Sequence, residues 1–148
     1  MTSMIIRGGF AALMLAALVG SGSIARAETV AFKAAMNAKD EVPPNDSAGT
    51  GTAELSYDTA TKSLTWTVTF TGLSGPATAA HFHGPAEVGK NAGVAVLIGN
   101  TASNLASPAK GTATLNDAQA GDLMGGRWYV NVHTAAKPGG EIRGQVTK

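Results

Sequence analysis

Ser63-Leu-Thr-Trp-Thr-Val-Thr-Phe-Thr71 alternates apolar and hydroxyl side chains without a break. Successive side chains of a strand point to opposite faces, so Leu64, Trp66, Val68 and Phe70 share one face and the hydroxyl row takes the other. Half-buried strands of antiparallel sheets carry this pattern, which puts Trp66 and Phe70 in a core and the threonines toward solvent.

Working outward, similar runs recur between clusters of Gly, Pro, Asn and Asp. Thr29–Met36, Thr50–Tyr57, the stretch around Phe82, Val94–Ile98, Lys110–Leu115, Trp128–Thr134 and Glu141–Val146 all read as strands. Ala34–Ala38 is also compatible with helix. Asp40-Glu-Val-Pro-Pro-Asn-Asp46 must be a loop, because consecutive prolines lack the N–H a ladder needs; its acids read as solvated. Asn116–Gly126 reads as one or two helical turns, with Asn116 as N-cap and Gly125-Gly126 as the stop. About eight short strands and one helical turn imply an all-β sandwich or barrel.

The first 27 residues read as an export signal. Arg7 supplies a basic start, Phe10–Val19 an apolar run too short to span a bilayer, and Ala25-Arg-Ala27 a cleavage site. A single domain over 28–148 follows, in the periplasm or outside the cell, with no membrane span once the signal is cleaved. Losing Arg7 and Arg26 leaves nine basic residues against ten acids, hence a charge of −1. A near-neutral, scattered charge pattern excludes electrostatic binding of nucleic acid or anionic lipid. No cysteine occurs, so the core holds the fold without disulfides, and thiolate ligands and a cysteine nucleophile are excluded.

The three histidines fall in two alternating segments, Thr78-Ala-Ala-His-Phe-His-Gly-Pro85 and Trp128-Tyr-Val-Asn-Val-His-Thr134. With Phe82, Val130 and Val132 facing the core, His81, His83 and His133 emerge on one polar side. In the last strand Glu141 and Arg143 share a face that can lie beside Tyr129, Asn131 and His133, with Glu141 and Arg143 able to form an ion pair.

Taken together, Asp40–Pro44, Leu73–Thr78, Ala80–Ala86, Gly93–Val96, Tyr129–Thr134 and Pro138–Gln145 resemble the CHRD family, the domain repeated in chordin and found singly in bacterial exported proteins. The resemblance implies an extracytoplasmic Greek-key β-sandwich of about eight strands. It implies no enzymatic activity and leaves open an envelope or extracellular protein partner.

Imidazoles suit copper and zinc, and a His-x-His pair reaches one ion from one face. His81, His83 and His133 are therefore candidate metal ligands, for copper first and zinc second. Glu87, Asn131, Glu141 and Arg143 are candidates to complete or orient the site. The competing reading is a metal-free hydrogen-bond network in a structural or interaction module. The arrangement is similar in outline to copper–zinc superoxide dismutase, but this chain lacks that enzyme's bridging histidine and disulfide, so dismutation is not expected. No G-x-S-x-G elbow, paired carboxylates or phosphate loop supports catalysis.

Overall fold

The computed structural model describes residues 27–100 and 105–148. The export signal expected over 1–27 therefore lies outside the described residues, Ala27 apart. Eight strands form one sheet: β1 (Thr29–Asn37), β2 (Thr50–Asp58), β3 (Ser63–Thr71), β4 (Ala77–His83), β5 (Val94–Asn100), β6 (Ala109–Thr114), β7 (Tyr129–Thr134) and β8 (Ile142–Gln145). Helix α1 (Asp117–Met124) lies between β6 and β7, and a 3-10 turn (Ala38–Asp40) follows β1. The ambiguous Ala34–Ala38 stretch is thus mostly strand. Asn116 caps α1 as expected, exchanging hydrogen bonds with Gln119 in a capping box.

All strand pairs are antiparallel, in the order β5-β4-β7-β8-β1-β2-β3-β6. The edge strands β5 and β6 approach each other, so the sheet is nearly closed. The two layers of the expected sandwich are the two halves of this one rolled sheet. Trp66 of β3 meets Phe82 of β4 edge-on at 5.5 Å, although four strands lie between β4 and β3 in sheet order. Trp128 also stacks on Phe82, at 5.9 Å. Leu64, Val68, Phe82, Trp128, Val130, Val132 and Ile142 have no exposed surface, as the alternation of β3, β4 and β7 requires.

A close backbone approach lies where β8 meets β1. That pairing is limited to Asn37 opposite Arg143 and an isolated bridge from Lys33 to Thr147. A Cβ on Gly144 would run into the Ala35 carbonyl and press on Met36. Gly144→Ala is therefore expected to lower stability by about 1–3 kcal/mol through overpacking. Gly121→Ala, in open space on α1, is the control and is expected to be neutral or stabilising. Urea unfolding of both variants checks this, and equal midpoints would refute the close-approach account.

Candidate metal centre

Strands β4 and β7 are neighbours, with His81 opposite Asn131 and His83 opposite Tyr129. Paired residues share a face, so period-two alternation delivers His81, His83, Tyr129, Asn131 and His133 to the side away from Phe82, Val130 and Val132. One ligand nitrogen from each of the three histidines can be chosen so that all lie within 4.8 Å of one another. His81 Nδ1 is 3.0 Å from His133 Nε2.

This face is covered rather than open to solvent. His83 is 9% exposed, and His81 and His133 are half-buried. The loop from Gly84 to Gly93 closes over His83, held because Arg143 donates to Asn91 Oδ1 at 2.8 Å and to the Lys90 carbonyl. A stack fills the space beneath: the His83 ring lies on Tyr129, 4.7 Å between centroids and 2° from parallel, and the Arg143 guanidinium sits 3.4 Å from the other ring centre. The expected polar surface is a partly covered polar layer, buried at His83, Tyr129, Asn131 and Arg143 and half-open at His81 and His133.

Backbone carbonyls assign the ring protons. His83 Nδ1 faces the Ala92 carbonyl at 2.9 Å, and His133 Nδ1 faces the Pro138 carbonyl at 2.9 Å. A carbonyl only accepts, so both Nδ1 atoms carry the proton and donate. The two Nε2 atoms are then lone pairs, and both lie against the Asn131 side chain, at 3.1 and 3.0 Å from Oδ1. A ring whose far N–H is tied to a carbonyl is oriented to ligate through the near nitrogen.

Electrostatics keeps the rings neutral. Burial, and then the neighbouring His133 and His83, push the His81 pKa down to about 4. Burial likewise lowers His83, against the opposing pull of Ala92 and Asn131, and lowers His133 against that of Pro138. Neutral imidazole is the form that binds metal.

The other candidates separate. Asn131 joins the cluster. Arg143 supports it through Tyr129. Glu87 is exposed and lies outside the group of potential ligands that His81, His83 and His133 form. Glu141 is fully buried but serves elsewhere: its carboxylate accepts from Ser47 Oγ, Ser74 N, Ser74 Oγ and Thr134 Oγ1 at 2.5–2.8 Å. The expected Glu141–Arg143 ion pair does not form. Thr134 shares the face of Val132, so Glu141 points to the opposite side of the sheet from Arg143. Regular strand geometry starts only at Ile142, after the chain leaves alternation at Gly140, φ 129°.

Glu41 corrects the expectation that the acids of its loop are all solvated. It is 5% exposed, and its Oε1 has no hydrogen-bond partner. Burial raises its pKa to about 7, against the Arg143 charge and a side-chain interaction with Asn131. Its place within Asp40–Pro44 was the one local hint, since nothing in loop composition marks a buried acid. The Ala92 and Pro138 carbonyls were also invisible, because main-chain atoms leave no side-chain signal.

The profile of the family described as the CHRD domain matches residues 32–146. No curated protein and no solved structure matches the chain.

Proposed function

This chain belongs to the CHRD family, and from that premise we propose that it is an exported, non-catalytic module that binds copper, or secondarily zinc, through His81, His83 and His133. Family membership supports an extracellular-type interaction module. The basic start, short apolar run and Ala25-Arg-Ala27 support export, and no helix among the described residues is long and apolar enough to cross a membrane.

The observation that carries the metal reading is the pinning of both Nδ1–H groups by backbone carbonyls. It leaves the His83 and His133 Nε2 lone pairs converging beside His81. An all-imidazole set with no thiolate favours copper(II) over zinc by the usual affinity order. A bound ion would keep a position for water or a ligand brought by a partner, which suits capture or delivery of metal outside the cytoplasm.

The test is titration of tag-free protein with copper(II) and zinc, beside His83→Ala. One ion per chain is expected, with affinity falling at least about 100-fold in the variant. Affinity unchanged by the substitution would remove the reading. One observation favours a metal-free interaction module instead: the His81–His133 contact and the Asn131 amide are able to satisfy the rings by hydrogen bonds alone. That reading predicts equal loss of stability in His83→Ala with and without metal.

A further inference from the structure

The Asn131 side chain sits between Glu41 and the two ring nitrogens, and its two ends make opposite demands. With Oδ1 toward His83 Nε2 and His133 Nε2, an acceptor faces two lone pairs. His81 Nδ1 can donate to His133 Nε2, but His83 Nε2 has no other partner, so Oδ1 against it is repulsive unless a cation lies among them. With the amide turned over, Nδ2 donates to His83 Nε2 while His81 Nδ1–H serves His133 Nε2, and the rings are satisfied without an ion. The turned amide would then direct Oδ1 at Glu41.

Glu41 bears on this choice because its carboxylate accepts and does not donate. It lies against the Asn131 amide, and Gly140 leaves room for both: a Cβ there would run into Glu41 Oε1 and lie 2.8 Å from Asn131 Nδ2. Oε1 makes no hydrogen bond, so turning Asn131 Oδ1 toward it would set two buried acceptors face to face with no donor between them. Burial pushes the Glu41 pKa up to about 7 against the pull of the nearby Arg143 cation, so the carboxylate is mostly ionised at pH 8.

We infer that Glu41 is a positioning residue for the three-histidine cluster: it holds Nδ2 of Asn131 toward itself, keeping Oδ1 on the ring side and the cluster open to a cation. In this part the inference rests on the metal reading above. Remove the negative charge, and the lone pairs of His83 and His133 decide the amide's orientation instead. The cluster then closes on itself by N–H···N hydrogen bonds.

Four tag-free proteins test this: wild type, Glu41→Gln, Asn131→Ala and the double variant. Glutamine keeps the size of Glu41 and presents either a donor or an acceptor, so it imposes no orientation. At pH 8, Glu41→Gln is expected to weaken copper(II) binding about 10–100-fold, and to have no further effect in the Asn131→Ala background. Wild-type affinity in Glu41→Gln, or the same loss with Asn131 already removed, overturns the inference. A second arm needs no metal. In metal-free protein at pH 8, a scalar coupling from Asn131 Nδ2 to Nε2 of His83 or His133 is expected in Glu41→Gln and not in wild type. Coupling in both proteins, or in neither, overturns the role of Glu41 even if none of the four binds an ion. Absence of binding in all four, with the coupling as expected, would remove the metal centre and leave the positioning of Asn131 standing.

Discussion

Glu141→Leu is expected to lower the free energy of unfolding by about 4 kcal/mol, and Glu141→Gln by about 2 kcal/mol. The carboxylate is buried without a cation and accepts four hydrogen bonds from three separate segments. Ser47 belongs to the connection between β1 and β2, Ser74 to that between β3 and β4, and Thr134 ends β7. Leucine would leave the Ser74 N–H without an acceptor and three hydroxyls to find new ones. Glutamine keeps one oxygen for Ser74 N, and the hydroxyls of Ser74 and Thr134 can rotate to accept from its amide, so its cost is smaller.

Acid sharpens the expectation for Glu141. Burial raises its pKa, but the bonds from Ser47, Thr134 and Ser74 together bring it below the usual carboxylate range. A depressed carboxylate contributes stability that is present above its unfolded value of about 4.5 and is lost as pH falls through the folded value. The gap between wild type and Glu141→Gln should therefore be full at pH 7 and shrink below about pH 4.5. Urea midpoints at both pH values decide this; a gap under about 0.5 kcal/mol at pH 7 would show that the cage contributes little.

Copper(II) at about 100 times its dissociation constant should raise stability by about 2.7 kcal/mol, or roughly 10 °C in melting temperature. Much of this should persist at pH 5.5, which sets the cluster apart from ordinary histidines. An exposed histidine with pKa near 6.5 is about 90% protonated at pH 5.5, so three of them would lose roughly 1,000-fold in affinity relative to pH 7.5. Burial holds all three rings below that value, His81 at about 4. The proton competes less, and the expected loss is well below about 1,000-fold. A 1,000-fold loss would show the rings titrating as surface groups.

Much of the framework is legible in local sequence. The alternation in Ser63–Thr71 predicts β3 to the residue, and the same periodicity puts His81, His83, Asn131 and His133 on one face. Asn116 with Gln119, and Gly125 after Met124, bound α1 by capping chemistry. The short connection between β7 and β8 marks them as antiparallel neighbours, and the pairing puts Arg143 beside Asn131.

What lay out of reach depends on segments far apart in the chain. Glu41 looks like any loop acid until the hairpin that carries Asn131 and Gly140 packs against it. Glu141 and Arg143 look like a pair until the connections holding Ser47 and Ser74 claim one carboxylate and the loop after His83 claims the guanidinium.

The sequence by itself determined the strands, the apolar face and which face the histidines take, because a period of two is a property of the backbone wherever it is extended. Only the tertiary structure decided that this face is covered, that the Ala92 and Pro138 carbonyls assign the ring protons, and that Asn131 stands between Glu41 and the rings. Those outcomes depend on loop closure across the sheet. The burial and donor–acceptor balance of each group are set by neighbours that no local pattern specifies.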